Sequence, residues 1–316
     1  MGNTCCSRVP KQPPPIILRM PTFPECHVCN SKIERWDDSR KLTFWGSEFC
    51  KKHLRDGTPW CSGCERFETQ GQRGFVNLED GRKLCSDCES IAIFDPSKCN
   101  RLIEKMREFY EELNLEVDKD IPILLVDKHY MDKWQGAVGL TTFDRKKVWA
   151  ITDYFKNGDT IQVQKAEKTL TKGKVTSMLL LFGIPEVIMG AILAHEMMHA
   201  WLLLQGCKKL DRRVSEGICE VMAYLWLEWF CDEGKNNLDS YTTEQAKFTN
   251  ELKTFCVDKM STRVDDIYGD GFREAKRAVS VKQNSPTVST YNLHKTLQHI
   301  VRHKTLPPQI HSNSTC

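Results

Sequence analysis

Hydrophobic residues recur at two different spacings along this chain, and a change of spacing predicts a change of architecture. The stretch CNRLIEKMREFYEELN, Cys99 to Asn114, has the three-to-four-residue period of an amphipathic helix. IPILLVDKHY, Ile121 to Tyr130, reads as a short buried strand, and KVWAITDYF, Lys147 to Phe155, predicts a second one. The run VTSMLLLFGIPEVIMGAILAHEMMHAWLLL, Val175 to Leu204, is apolar enough to suggest a membrane span. Gly183, Pro185, Glu186 and the polar group at 195–199 break it into two shorter pieces, which predicts two buried helices instead. The second is expected from Pro185 to Gln205, with Pro185 in the first turn, Glu186 at the positive helix end and Gly206 just past the other end. A third helix is expected from about Arg213 to Glu233, then a polar stretch at 234–245 and further helices to about residue 304. Residues 1–24 are Pro-rich and basic at Arg8, Lys11 and Arg19, which predicts an unstructured arm, and the tail LPPQIHSNSTC at 306–316 is expected to be unstructured as well.

Composition changes this picture in one respect. A chain of 316 residues, 40% hydrophobic and 28% charged, is an ordinary soluble protein with room for two or three domains. Its net charge of +3 argues against a general nucleic-acid-binding role. Fifteen cysteines are abnormal. The opening MGNTCCSRVPKQPPP lacks the apolar region that export requires, so a cytoplasmic, reducing compartment is expected, where paired cysteines read as metal ligands rather than disulfides.

The cysteines fall into two foursomes of one design. Cys26-x2-Cys29 is followed after twenty residues by Cys50-x2-His53, and Cys61-x2-Cys64 after twenty residues by Cys85-x2-Cys88. A thiolate or imidazole at every third residue lets one turn aim two ligands at a single ion, so each foursome predicts one tetrahedral structural zinc. Cys99, Cys207, Cys219, Cys231 and Cys256 lie in or beside apolar segments and are expected to be small core residues.

Chemistry is predicted where polar residues interrupt the apolar run. Burying His195, Glu196 and His199 among Ile, Leu, Met and Trp is costly unless each finds a partner. On a helix His195 and His199 lie one above the other, and the pattern H-E-x-x-H supplies two zinc ligands and, in Glu196, a general base. A catalytic zinc needs a third protein ligand and an open position for water. Glu216 and Glu220, one turn apart in RRVSEGICEVMAYLWLEWF, can both face such an ion. Zinc so held would activate water and polarise a peptide carbonyl while Glu196 moves the proton. Tyr268 is the first choice of donor to the developing oxyanion and Tyr224 the second, and Gly269 and Gly271 around Asp270 predict a tight, chain-reversing turn.

These motifs carry three resemblances. The cysteine spacing resembles a LIM domain, a pair of zinc fingers that binds other proteins, with a longer link between His53 and Cys61 and a Cys-His ending in the first foursome. CERFETQ, GRKLCSDC, LLLFGIPEVIMGAILAHEMMHAW, SEGICEVMAYLWL and IYGDGFREAKRAV are similar to the plant DA-one family of LIM-containing peptidases, a likeness that runs from about Cys26 to about residue 304. Glu216-Gly217 resembles the helix opening of gluzincins, which implies Glu216 as the third ligand and Glu220 as acceptor from a ligand histidine. Together they imply an α+β protein: a LIM-like double zinc module at 25–95, then a mainly helical, gluzincin-like zinc metallopeptidase at 96–305. They further imply limited cuts in regulatory proteins such as ubiquitin ligases and deubiquitinases, in control of plant growth, with partners held by the zinc module. No ubiquitin-interacting helix is recognisable and the segment before Cys26 is too short for another LIM domain, so the resemblance does not extend to activation by ubiquitin. The alternative is a LIM adaptor that binds without cutting. Glu196, which a scaffold does not need, argues against it.

The first six residues, MGNTCC, add a membrane expectation. Gly2 is the acceptor that N-myristoylation requires, though Cys6 stands where Ser or Thr is preferred. Cys5 and Cys6 would offer palmitoylation sites, and two acyl chains would hold the protein at the cytoplasmic face of the plasma membrane where one would not.

Overall fold

The computed structural model describes residues 24–33, 39–42, 45–69, 74–117, 121–128, 131, 150–156, 159–160, 174–207, 209–280 and 288–308. Gly2, Cys5 and Cys6 lie outside the described residues. The chain forms two compact units, Met1–Gly57 and Thr58–Cys316.

The smaller unit is built around the first foursome. A turn after Glu25 closes when Asn30 N–H bonds to Cys26 C=O at 2.8 Å, with Asn30 at φ 56°. Strand β1 (Ser39–Leu42) pairs antiparallel with β2 (Ser47–Cys50), and one 3₁₀ turn, Lys51–Leu54, follows and carries His53. The larger unit opens with the same design. Glu65 takes φ 64° at the equivalent place after Cys61, β3 (Val76–Asn77) pairs antiparallel with β4 (Lys83–Leu84), and α1 (Ser86–Ser90) carries Cys88. Cys50 N–H reaches Cys26 Sγ at 3.3 Å, and Cys85 N–H reaches Cys61 Sγ at 3.3 Å. Equal spacing in the sequence thus becomes equal backbone geometry.

The second foursome is part of the larger unit's frame. Strand β5 (Ala92–Ile93) pairs antiparallel with β10 (Ile184–Pro185), and Glu186 N–H bonds to Ile91 C=O at 2.9 Å. A Cβ on Gly63 would lie 2.7 Å from Cys88 Sγ and 3.2 Å from Pro185 Cγ, so only glycine lets the cysteine turn seat against the start of the next helix. Arg82 donates to Phe182 C=O at 2.8 Å and Lys259 pairs with Glu65 at 2.9 Å.

Helix α2 (Pro96–Glu112) is capped by Asp95, whose side chain accepts from Lys98 N–H, and buries Leu102, Ile103, Met106, Phe109 and Tyr110. Four strands form one sheet in the order β6-β9-β7-β8: β6 (Ile123–Val126), β7 (Ala150–Lys156), β8 (Asp159–Thr160) and β9 (Lys174–Leu181). β6 runs parallel to β9, and the other pairs are antiparallel. Two expectations change here. The expected buried strand β6 is an edge strand with Leu124 45% exposed, and the first of the two expected apolar helices is the strand β9. A short apolar run has no periodicity of its own, and pairing on both sides decides between helix and strand.

Helix α3 (Glu186–Leu204) starts one residue after Pro185 and is long and apolar enough to cross a membrane, but it is mostly buried within the larger unit. Its partner is α4 (Arg212–Phe230), capped by Asp211. The two helices touch where Trp226, fully buried, donates from Nε1 to Val187 C=O at 3.1 Å. A Cβ on Gly190 would lie 2.2 Å from the Trp226 ring. Gly190→Ala should therefore force the helices apart and lower stability by roughly 1–3 kcal/mol, read as an earlier urea midpoint with an unchanged slope. Helix α5 (Thr243–Thr262) begins with a capping box between Thr242 and Gln245, α6 spans Gly271–Val279 and α7 spans Thr290–His303.

Candidate metal centre

Helix α3 brings His195 and His199 to one face, as a four-residue spacing dictates. Tyr110 from α2 donates to Ala194 C=O at 2.7 Å, and Lys105 and Tyr241 hold Glu186 in the first turn at 3.0 and 2.6 Å. These contacts fix the height and rotation of the helix. Helix α4 crosses with Glu216 in its second turn, 5% exposed.

Three atoms then converge. His195 Nε2 and His199 Nε2 are 3.1 Å apart, and Glu216 Oε2 lies 3.2 Å from the first and 3.3 Å from the second. A tetrahedron with metal–ligand bonds of 2.0–2.1 Å has edges of about 3.3–3.4 Å, so the triangle has the dimensions of three zinc ligands. Desolvation opposes charge on both rings, yet Glu216 outweighs it, raising His195 to about 9 and His199 above its ordinary value. Burial likewise opposes the Glu216 anion, but hydrogen bonds from His195 and His199 hold its carboxyl well below the usual range. The cluster attracts positive charge, which a divalent ion supplies more fully than a proton.

Cys219, one turn before Ala223 on α4, also comes within 4.8 Å of the two histidines' ligand atoms, which the sequence did not suggest. Burial pushes its thiol well above the ordinary range. A carboxylate already at ligand spacing fits the third position better than a thiol that resists ionisation. Glu220 lies 3.9 Å from His195 Nδ1, an ion-pair distance beyond hydrogen-bond reach, and burial raises its carboxyl. Ser215 Oγ, absent from the sequence argument, stands 3.4 Å from His199 Nδ1. Glu196 sits beside the triangle on α3, half-buried.

The segment Asp266–Asp270 is a single π-helical turn leading into α6, and this corrects the expected chain-reversing turn. Tyr268 is buried on it, and its hydroxyl accepts from Arg212 at 3.0 Å. Tyr224 lies two turns along α4 from Glu216, with Lys276 Nζ 3.6 Å from its ring centre. Burial, helped by Glu228, raises its hydroxyl to about 12.

The two foursomes also have ligand geometry. In each, the four ligand atoms lie within 4.8 Å of one another. Cys64 Sγ and Cys85 Sγ are 3.7 Å apart, and a tetrahedron of Zn–S bonds near 2.3 Å has edges of about 3.8 Å. Cys61, approached by the thiols of Cys64, Cys85 and Cys88, is held well below the ordinary thiol range. In the smaller unit hydrogen bonding from Ser31 lowers Cys29 to about 5, and His53 Nδ1 lies 2.9 Å from Asp56, the carboxylate pairing that orients ligand imidazoles. No disulfide occurs among the described residues.

Comparison with known proteins adds a lineage. A family model described as DA1-like, Protein DA1, matches residues 112–303. Protein DA1 of Arabidopsis thaliana is 32% identical over 88% of this chain and 56% of its own length. Protein DA1-related 1 of Arabidopsis thaliana is 33% identical over 90% of this chain and 55% of its length. The LIM domain-containing protein HDR3 of Oryza sativa subsp. japonica is 31% identical over 88% and 60%. The chain spans a little more than half the length of these relatives. No solved structure matches it.

Proposed function

The chain belongs to the DA1-like family, and on that premise we propose that it is a zinc-dependent endopeptidase of the gluzincin kind, acting on protein substrates. The observation that carries this reading is the 3.1–3.3 Å triangle of His195 Nε2, His199 Nε2 and Glu216 Oε2, with Glu196 on the same helix. Zinc bound there would supply Lewis acidity toward water and the scissile carbonyl. The side chains do the rest. Glu196 takes the proton of the attacking water and returns it to the leaving amine, and Tyr268 donates a hydrogen bond to the carbonyl oxygen as it gains charge. Glu220 is the carboxyl that faces the Nδ1 side of His195, from 3.9 Å, and favours the proton on that nitrogen. The two foursomes hold one structural zinc each. We further propose that the substrates are regulatory proteins of the ubiquitin pathway, that cutting is limited and serves growth control, and that a protein partner binds the LIM-like region.

Glu216→Ala should lose the catalytic zinc while two zincs per chain remain, and Glu220→Ala should keep all three, both counted by metal analysis of dialysed protein. Loss of zinc from Glu220→Ala and not from Glu216→Ala would reverse the two roles.

Gly2 with Cys5 and Cys6 supports a second proposal, that the cytoplasmic protein is held at the membrane by two acyl chains. The wild-type chain should fractionate with membranes in plant cells, Gly2→Ala should be soluble, and Cys5→Ser with Cys6→Ser should bind weakly. A wholly soluble chain with no mass added at Gly2 would contradict it.

A further inference from the structure

Arg212 belongs to no motif, yet its guanidinium spans two groups of the centre. It is the first residue of α4, one turn before Glu216, with its side chain 51% exposed. Its Nε lies 3.8 Å from Glu216 Oε1, the oxygen that does not face the histidines, and its Nη2 donates to Tyr268 Oη at 3.0 Å. Arginine has five N–H donors and no acceptor. The Tyr268 hydroxyl can only accept from it, so the phenol's own proton points away from Arg212. One planar fork therefore lies at ion-pair distance from the outer edge of a carboxylate and sets the polarity of a phenol.

The seat of this fork is rigid because backbone meets backbone. A Cβ on Gly217 would lie 2.3 Å from Gly271 C=O, one on Gly271 2.6 Å from Arg213 C=O, and one on Gly269 2.2 Å from Arg263 C=O. The π-helical turn is thus pressed onto the first turn of α4. Asp265 Oδ1 accepts from Tyr268 N–H at 2.7 Å, and the Arg263 guanidinium lies 4.2 Å from the Tyr268 ring centre. Arg213 pairs with Glu274 of α6 at 2.5 Å on the outside of the same junction. Tyr268 reaches the neighbourhood of Glu216 through this packing, and Arg212 joins the two.

We propose that Arg212 is a positioning residue: its charge, at ion-pair distance from Glu216 Oε1, draws that oxygen outward so that Oε2 faces the two histidines, and its hydrogen bond to Tyr268 Oη directs the proton of that hydroxyl away from Arg212. This rests on the peptidase reading given above. A half-exposed ion pair with no such role would contribute almost nothing measurable. Partners that orient a metal ligand commonly carry 10-fold to 100-fold in metal affinity or activity. Lysine keeps the charge but is a point donor that cannot span both groups.

The test uses the full chain with zinc titrated against a chelator, and a quenched fluorescent peptide selected from a library by the wild-type protein. Arg212→Gln should bind the third zinc about 10-fold to 100-fold more weakly and lower kcat with KM little changed. Tyr268→Phe should lower kcat and leave zinc affinity as it was. In the double variant Tyr268→Phe should cost less than it does alone, because the two side chains act as one unit. Arg212→Lys should not restore the wild-type values. Retention of the two structural zincs and of the circular dichroism spectrum shows that the variants are folded. Zinc affinity and kcat within twofold of wild type in Arg212→Gln, full rescue by lysine, or additive losses in the double variant would each overturn the proposal. If the wild-type chain cuts no peptide, the peptidase reading fails, and the zinc titration still decides Arg212: an unchanged affinity overturns its role, and a 10-fold or greater loss supports it.

Discussion

Glu196→Gln is expected to keep three zincs per chain and lose roughly three or more orders of magnitude in cleavage rate. Holding the ion and moving the proton fall to different side chains. His195, His199 and Glu216 make the ligand triangle, whereas Glu196 stands on the same helix outside it. A glutamine is isosteric, so the apolar packing around it should survive. It cannot accept the water's proton, and general base and acid catalysis together carry about 10²–10⁴-fold in rate, with water activation lost in addition. Cleavage of a candidate ubiquitin ligase by the wild type and the Gln form, with zinc measured in both, checks it. A Gln form that still cuts at a tenth of the wild-type rate would assign the base elsewhere. A Gln form without the third zinc would place Glu196 among the ligands.

The second large effect concerns the foursome in the larger unit. Cys88 packs on Gly63, Gly63 on Pro185, and Pro185 immediately precedes the helix that carries His195. The β5–β10 pairing and the Glu186 to Ile91 hydrogen bond fasten the same point. Structural zinc contributes on the order of 10–16 kcal/mol in small zinc modules, as much as the roughly 5–15 kcal/mol net stability of a domain. Cys85→Ser or Cys88→Ser should therefore cost the catalytic zinc and most of the cooperative unfolding transition, although neither residue touches the centre. Cys26→Ser or Cys29→Ser lies in the other compact unit and should leave that transition in place. Thermal melts with metal analysis of the four variants distinguish the cases. A Cys88→Ser protein with three zincs less one and an unaltered melt would show that the foursome is not part of the frame.

What could be read from the sequence was whatever local spacing determines. The helix carrying His195 was expected at 185–205 and spans Glu186–Leu204, because an apolar run bracketed by Pro185 and Gly206 has strong end signals. Two cysteine foursomes at equal spacing announced two equal turns. The strand Lys174–Leu181 reads as helix from sequence because Met178–Leu181 is an apolar run with neither a helix nor a strand period, and only its neighbours β6 and β7 distinguish the two. Ser215 and Cys219 reach the centre through the crossing of α3 and α4, and Arg212 gains its role only when the π-helical turn brings Tyr268 to it; no short-range pattern encodes either approach. The role of Gly217 and Gly271 was hidden for the same reason: each glycine is explained by the backbone of the other's segment. Docking of the second foursome onto the α3 start likewise depends on contacts about a hundred residues apart.

Everything proposed for the site depends on His195, His199 and Glu216 binding zinc as one centre. X-ray diffraction from crystals of the full chain, recorded on both sides of the zinc absorption edge, tests it most directly. Three anomalous peaks per chain are expected: one within Cys26, Cys29, Cys50 and His53, one within Cys61, Cys64, Cys85 and Cys88, and one bound by His195 Nε2, His199 Nε2 and Glu216 Oε2 at about 2.0–2.2 Å. A third peak ligated by Cys219 with Glu216 turned away, or only two peaks in zinc-saturated crystals, would contradict it.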